Sequence, residues 1–230
     1  MKTKIFFIIF WLLVIVSFVF SIGFILMKAN GWNFNFKTGK ISQTGMISLS
    51  GEASDAQIKL NGKLYGHNLP LKITNLAQGY YDVTIEKENY QGWQKTVPVE
   101  EGKAALFRNI LLFFKEPQEA AVPSNITQEV LDKEYQNQSA KIKIAGSEIF
   151  YNNIMVSRFS QNIAGAIIYP DEAHLIFQTG DEIDIIELDG GNNQPLVKLS
   201  SNLPTRFFLR DNGRTLYYLD GEKIFGRTIR

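Results

Sequence analysis

Cysteine is absent from the 230 residues of this chain. Its absence excludes disulfide bonds, thiolate metal ligands and a cysteine nucleophile. An excess of charge of one sign is also lacking, since 24 basic and 23 acidic side chains leave a net charge of +1. No cluster of Lys and Arg indicates a nucleic-acid partner, and no acidic block indicates a solvating tail. Without disulfides, any folded domain outside a membrane must depend on its apolar core, so we expect well-buried β-sheets.

One long hydrophobic run stands near the start of the sequence, because residues 5–27 contain no charged side chain. A helix of this length extends about 34 Å, enough to cross a hydrocarbon core of about 30 Å. The run is longer than the apolar core of a signal peptide, and no A-x-A-like cleavage site follows it. We therefore predict an uncleaved, single-span membrane anchor.

The orientation of this anchor is ambiguous by charge, because basic residues flank it on both sides. These residues are Lys2, Lys4, Lys28, Lys37 and Lys40. A short N-terminal tail without a folded domain most easily stays in the cytoplasm. We expect the N-terminus to be cytoplasmic and the C-terminal arm to be extracytoplasmic, at the cell membrane.

Three aromatic residues follow the anchor: Trp32, Phe34 and Phe36. They fit either an aromatic belt at the membrane interface or the first strand of the arm. Composition divides the chain into four predicted parts. These are a cytoplasmic tail and anchor (1–29), a β-sandwich (30–114), a linker (115–140) and β repeats (141–230).

Residues 30–114 are built of short strands and strong turns. The strand Gln57–Leu60 ends in Asn61-Gly62, the pair most typical of a two-residue hairpin. Residues 80–86 alternate between apolar and polar side chains, as a half-buried strand does. Pro98 indicates that its strand is an edge or carries a bulge. Because no helical period occurs here, we predict a small antiparallel β-sandwich.

A series of turn and core residues extends from residue 50 to residue 112. Its members are residues 56–62, Gly66, Pro70, Leu76, Gly79, residues 83–87, Tyr90, Trp93, Val97, Val99 and Gly102. In order and spacing this series resembles the PEGA domain family. The family's four-residue signature is not matched, since residues 53–56 read ASDA, and Asn89 stands where a glycine is usual. The resemblance implies a binding or spacer module outside the membrane, with no established catalytic residues.

Residues 115–140 are rich in Pro, Gln, Asn and Glu and have little to bury. Such a composition is typical of a linker, and a short helix over residues 127–135 is one option within it.

The segment 141–230 contains an internal repeat. Residues 160–183 recur as residues 200–224, at an offset of 40 or 41. For example, the strand Leu175-Ile176-Phe177 recurs as Leu216-Tyr217-Tyr218. A period near ~40 residues with strand and turn content is the size of one propeller blade. We predict propeller-blade-like antiparallel β repeats, with a mainly β fold for the chain beyond its anchor.

Two and a fraction repeats are too few for a closed ring, which takes about 4 to 8 blades. We predict an incomplete propeller and leave three explanations open. The chain is a fragment of a longer protein, which we favour, or the repeats form a compact sheet that packs on itself or on the PEGA-like domain. The third explanation is association with another chain.

Residues that often carry chemistry occur here in unspecific patterns. Acidic residues crowd residues 181–189, but no D-x-D-x-D-G calcium loop is present, so we predict that Glu182 and Asp184 share a solvated strand face. His67 and His174 lie beside predicted turns, where we expect them to be exposed, and no G-x-S-x-G motif occurs. We predict no catalytic residue, no cofactor and no metal site.

Four aromatic residues form a candidate ligand-contact surface, because aromatic rings stack on sugars. They are Tyr80, Tyr81, Tyr90 and Trp93. Alternation along the strands places some of them in the core instead.

The leading functional hypothesis is a non-enzymatic, membrane-anchored cell-envelope protein. Its arm would bind or space against cell-wall polysaccharide or an envelope protein. Two alternatives remain. The chain is a scaffold or sensor subunit of a membrane complex, or it is the N-terminal part of a larger envelope enzyme.

Overall fold

The computed structural model of the protein describes residues 2–35 and 39–230. In this part of the chain β-strands predominate, and they pair into several antiparallel sheets. The apolar run forms helix α1 (Lys2–Ala29). Over Phe6–Ala29 this helix is long and apolar enough to cross a membrane, and none of that stretch is buried in the protein. A membrane anchor and a signal sequence both fit these properties.

The chain after α1 forms a hairpin of β1 (Trp32–Asn35) and β2 (Lys40–Gln43), in which Phe34 lies opposite Ile41. Trp32 and Phe34 therefore belong to the first strand of the arm, one of the two interpretations predicted. Phe36, the third aromatic residue of that prediction, lies outside the described residues, as does Lys37.

Two sheets occupy residues 45–111. Their strands are β3 (Gly45–Glu52), β4 (Gln57–Leu60), β5 (Lys63–Gly66), β6 (Leu71–Leu76), β7 (Gly79–Glu86), β8 (Trp93–Val99) and β9 (Ala104–Leu111). The strand orders are β6-β3-β9 and β5-β4-β7-β8. Ile47 and Leu49 of β3 are buried because alternate side chains point to one face of a strand. Asn61 and Gly62 join β4 to β5 with positive φ angles, as the sequence predicted.

Two compact units divide the chain. The first contains the chain up to Ser50, Pro70–Asp82 and Thr96–Arg108; the second contains Gly51–Leu69, Val83–Lys95 and Asn109–Arg230. Strands of the two sheets thus contribute residues to both units. The domain boundaries expected from composition stay a prediction.

The repeat segment lies in the second unit and forms three sheets. Its strands are β11 (Ile142–Ala145), β12 (Glu148–Tyr151), β13 (Ile154–Arg158), β14 (Ile163–Ile168), β15 (His174–Thr179), β16 (Glu182–Glu187), β17 (Gln194–Lys198), β18 (Phe207–Arg210), β19 (Thr215–Asp220) and β20 (Lys223–Thr228). The strand orders β11-β12-β13 and β14-β15-β16-β17 follow the sequence. The predicted offset recurs in the structure, since β15 and β19 begin 41 residues apart.

The third sheet gains a strand from earlier in the chain. β10 (Gln118–Ala120) pairs with β20, so the order is β10-β20-β19-β18 and the sheet has four strands. No sheet of residues 2–35 and 39–230 closes into a ring, so the repeats are shown as open antiparallel sheets.

The β14–β17 sheet is covered on both faces. One face packs in a cluster with β12 and β13, through Leu175, Phe177 and Ile149. The other face packs with β18 and β19, in a cluster that includes Ile176 and Phe207. A sheet buried on both sides loses the alternation of a half-exposed strand, which is why five successive residues of β15 are buried.

Double burial overturns one prediction about the acidic strand. Asp184 was expected on a solvated face, but its side chain lies on the face that packs in the cluster with Phe177 and is only 7% exposed. Glu182, at the start of the same strand, is exposed as expected. The prediction was wrong for Asp184 because the sequence period does not reveal a second covering sheet.

Helix α2 (Gln128–Ser139) lies in the predicted linker and is four residues longer at its C-terminal end than the optional helix. Thr127 caps it, since its hydroxyl accepts a hydrogen bond from the Val130 N–H at 3.4 Å. Leu131 is fully buried in a cluster with Phe208 and Tyr217. Residues from the predicted linker therefore extend the third repeat sheet, through β10, and cover it, through α2.

Candidate functional site

A pocket in the second unit brings together charged residues that are far apart in sequence. Its volume is about 460 Å³, which lies in the size range of small-molecule sites. Lys87, Arg214 and Arg230 line it together with the carboxylate of Glu52, so its formal charge is +2. We call it the basic pocket. The remaining lining residues are Gly51, Ala53, Ser54, Leu69, Tyr90 and Leu112.

One wall of the basic pocket is a loop held by backbone hydrogen bonds. The N–H of Leu69 donates to the carbonyl of Ala53 at 2.9 Å, and the N–H of Ala56 donates to the carbonyl of His67 at 2.8 Å. Gly51 precedes this loop, and a Cβ at that position would overlap the backbone of Ile110. The close approach of these two backbone segments therefore requires glycine.

Tyr90 provides the aromatic wall. Its ring centroid lies 4.6 Å from that of Phe114, and the two residues form an isolated antiparallel bridge. The ammonium of Lys87 lies 4.9 Å from the centroid of the Tyr90 ring, in a cation–π contact. The ring therefore positions one of the three cations.

Arg230 is a buried cation, with its side chain only 9% exposed. Its Nη1 donates to Oε2 of Glu52 at 2.5 Å, and its Nη2 donates to the carbonyl of Asn212 at 3.1 Å. Its Nε is buried and has no hydrogen-bond partner within the described part of the chain. Burial acts to lower the pKa of Arg230, but Tyr169 and Glu52 outweigh it and raise that pKa, so the guanidinium stays charged.

A smaller cavity of about 120 Å³ shares Gly51, Glu52 and Arg230 with the basic pocket. Tyr169 also lines it, and burial raises the pKa of this phenol to about 12 although Arg230 opposes the change. The hydroxyl of Tyr169 donates to the carbonyl of Gly213 at 3.0 Å. Tyr169 is therefore a neutral, anchored wall beside the guanidinium.

The histidines lie in different environments. His67 is exposed, as predicted. His174 was expected to be exposed but is buried, with its Nδ1 2.7 Å from Oδ2 of Asp171. Oδ1 of Asp171 also accepts a hydrogen bond from the N–H of Ala173 at 2.8 Å. The carboxylate of Asp171 therefore holds the turn. His174 is buried beside it because β15 is covered on both faces.

The four predicted ligand-contact residues belong to different units. Tyr80, which is 78% exposed, and Tyr81, whose hydroxyl donates to the carbonyl of Ala77 at 2.9 Å, belong to the first unit. Tyr90 and Trp93 belong to the second, and Tyr90 lines the basic pocket. Ligand contact by these four residues stays a prediction.

Trp93 is only 2% exposed, and its Nε1 donates to Oε1 of Glu187 at 2.5 Å. Lys95 forms ion pairs with both Glu187 and Asp189. Burial would raise the pKa of Asp189, but Lys95 and the N–H of Gly191 lower it below its ordinary value. These contacts join β8 to the end of β16 and its following turn, so this cluster has a packing role.

Apart from Tyr90, a predicted ligand-contact residue, sequence patterns gave no signal for the basic pocket. Its charged residues lie up to 178 positions apart, as Glu52 and Arg230 do, and none belongs to a short motif. In the parts of the chain that the structure describes, no group of three or more His, Asp or Glu residues is arranged to hold a metal ion.

A comparison with protein-family models found a match for part of the chain. The sequence model of the PEGA domain family matches residues 44–109, which include the strands β3 to β8 and most of β9. This match supports the resemblance inferred from the turn and core residues. No curated protein and no solved structure matches the chain.

Proposed function

We propose that this chain is a non-enzymatic, membrane-anchored protein of the cell envelope, whose arm binds or spaces against an envelope component. The observation that carries the proposal is a PEGA domain match beginning at residue 44, shortly after an apolar helix that ends at Ala29. A PEGA domain fits a place outside the membrane. α1 is then the single span, with a cytoplasmic N-terminus and an extracytoplasmic arm.

The finer fold belongs to the same proposal. The PEGA-like region is a β-sandwich, and the repeats are blades of an incomplete propeller. Two features support blades: the four-stranded sheet β14–β17, and the completion of the third sheet by β10, which gives it the same number of strands. Three explanations of the incomplete ring stay open: a fragment of a longer protein, packing of the sheets on one another or on the PEGA-like region, and association with another chain.

The arm is proposed to contact cell-wall polysaccharide or an envelope protein through its cationic and aromatic surfaces. Lys87, Arg214 and Arg230 supply positive charge in one pocket although the chain as a whole is nearly neutral. A concentration of charge in a concave site supports ligand recognition more than it supports a spacer role.

Sedimentation tests the proposal directly. In one experiment, full-length protein in neutral-lipid nanodiscs is mixed with isolated envelope polysaccharide and sedimented. In a second experiment, it is mixed with envelope protein extract and then cross-linked. Co-sedimentation with the polysaccharide, or a discrete cross-linked partner, is expected. Empty nanodiscs are the control. If the protein stays in the supernatant and forms no cross-linked species, the proposed binding role is wrong.

A scaffold or sensor subunit is the second candidate, and an exposed apolar strand favours it. In β13, Ile154 and Met155 are 70% and 54% exposed, and β13 is the last strand of its sheet among the described residues. Exposed apolar side chains on a free strand edge suit pairing with another chain. Photo-cross-linking from position 154 in membranes should then capture one partner, whereas position 133, an exposed site on α2, should not.

A further inference from the structure

We propose that the basic pocket binds a small ligand group that carries a phosphate or a carboxylate. This inference rests on the proposed binding function and specifies the chemistry of one ligand. It does not depend on which envelope polymer or metabolite presents the anionic group.

The main observation is the unsatisfied donor of Arg230. Both Nη atoms of this guanidinium are occupied, by Glu52 and by the carbonyl of Asn212, whereas Nε is buried without a partner in the described part of the chain. A buried donor without a partner is destabilising, and an acceptor oxygen that reached Nε after a small movement of the Arg230 side chain would remove that cost. Phosphate and carboxylate oxygens form the strongest hydrogen bonds with a guanidinium.

The surrounding charges favour an anion over a neutral acceptor. Arg214 is exposed, and Lys87 is partly exposed above the Tyr90 ring, so both can turn toward a ligand that enters from solvent. The opposing carboxylate, Glu52, is already paired with Arg230 and is 62% exposed. An oxyanion would therefore meet two adaptable cations and one fixed cation.

The apolar lining indicates that the ligand is larger than a free ion. Leu69, Leu112 and Tyr90 line the same cavity as the cations. A volume of about 460 Å³ leaves space for carbon and hydroxyl groups beside the anionic group. A sugar or polyol that carries a phosphate or an acid group combines these features, with its carbon atoms against Leu69 and Leu112.

Calorimetry with full-length protein in neutral-lipid nanodiscs tests the inference. The probes are sn-glycerol 3-phosphate and glucuronate, with glycerol and glucose as their uncharged counterparts. At least one anionic probe should bind at least ten times more tightly than its uncharged counterpart, and its affinity should fall as salt is added. The preference between phosphate and carboxylate identifies the source of the anion. Equal binding of charged and uncharged probes, or no binding, overturns the inference.

Variants locate the binding in the pocket. Arg214→Gln and Arg230→Lys should each weaken the preferred anion at least fivefold, since Arg230→Lys keeps the charge but removes Nε as a guanidinium donor. Arg227→Gln is the matched control, because Arg227 pairs with Glu119 outside the pocket, and it should bind like the unchanged protein. If the exposed variant Arg214→Gln also binds normally, the pocket is not the site.

The two proposals fail separately. If Arg214→Gln still sediments with envelope polysaccharide and the unchanged protein binds no anionic probe, the pocket inference is wrong. The general binding function is then still supported. Thermal unfolding of Arg230→Lys shows whether its loss of binding reflects loss of fold. If Arg230→Lys proves to be unfolded, the result for Arg214→Gln decides the inference.

Discussion

At the scale of single residues, the most unusual side chain outside the basic pocket is Asp184. Its Oδ1 is buried and has no partner in the part of the chain that the structure describes. In the sheet it lies opposite Phe177 and Pro195, and neither side chain can donate a hydrogen bond to it. Burial, helped by the negative charge of Glu182, raises the pKa of Asp184 to about 7.

This raised pKa predicts that Asp184 weakens folding as the pH rises. Between the unfolded pKa near 3.8 and the folded pKa near 7, the folded state holds a proton that the unfolded state has released. Stability from this group is therefore greatest at acid pH and is lost as the pH rises toward 7. Asp184→Asn removes the titration. The stabilisation that this variant causes, measured as the change in the free energy of unfolding, should be about 2 to 3 kcal/mol larger at pH 8 than at pH 5.

Urea unfolding of the arm in detergent, followed by tryptophan fluorescence at pH 5 and pH 8, measures this difference. Glu222→Gln, a change at an exposed carboxylate in the turn before β20, is the control and should leave the difference between the two pH values as it is in the unchanged protein. A stabilisation by Asp184→Asn that is equal at both pH values would contradict the assigned pKa.

At the scale of secondary-structure elements, burial on both faces explains the repeat segment. The β14–β17 sheet separates two apolar clusters, and α2 covers the third sheet through Leu131, Phe208 and Tyr217. Tyr135, whose ring centroid lies 5.6 Å from that of Phe207, and Gln138, whose side-chain amide makes two hydrogen bonds with the backbone of Leu209, also hold α2, but Leu131 is its one fully buried side chain. Because tertiary packing supplies most of the stability of a short helix, loss of the Leu131 contact should loosen α2.

Leu131→Ala should destabilise the repeat segment by about 2 to 5 kcal/mol, the usual cost of truncating a fully buried leucine. Chemical denaturation gives the change in free energy, and hydrogen exchange over residues 128–139 should show faster exchange of the helix. Lys133→Ala, on the exposed side of α2, is the matched control and should change stability little. A loss below about 1 kcal/mol for Leu131→Ala would mean that the packing of Leu131 does not hold α2.

Local sequence signals predicted much at this scale. The apolar run predicted α1, Asn61-Gly62 predicted the β4–β5 hairpin, and the offset near 40 residues predicted the matching strands β15 and β19. These features depend on neighbours in sequence or on a simple period. Burial of Asp184 and His174 was not predicted, because a strand pattern describes one strand and does not show which sheets cover it.

The basic pocket shows the same limit for a site. Its contacts join Glu52 to Arg230 and the loop after β3 to residues near the end of the chain. A lone lysine or arginine in a sequence is most often a solvated surface residue. Only the fold showed that Lys87, Arg214 and Arg230 line one cavity, and that Nε of Arg230 is buried without a partner in the residues described.

At the scale of the whole molecule, the account depends on α1 as a retained membrane span. Its apolar side chains from Phe6 onward are largely exposed, so in water they would form a large unfavourable surface. A bilayer covers such a surface, and a PEGA domain match follows it. The proposed ligand pocket serves an envelope role only if the second unit lies outside that bilayer.

The absence of cysteine allows a direct measurement of this central claim, because any thiol introduced is the only one in the chain. Thr3→Cys and Glu222→Cys are each produced in cells and treated with a membrane-impermeant maleimide, before and after permeabilisation. The account predicts labelling of Glu222→Cys in intact cells, labelling of Thr3→Cys only after permeabilisation, and full-length mass for both membrane-bound proteins. Protection of position 222 in intact cells, or loss of position 3 by cleavage from a soluble product, would contradict it.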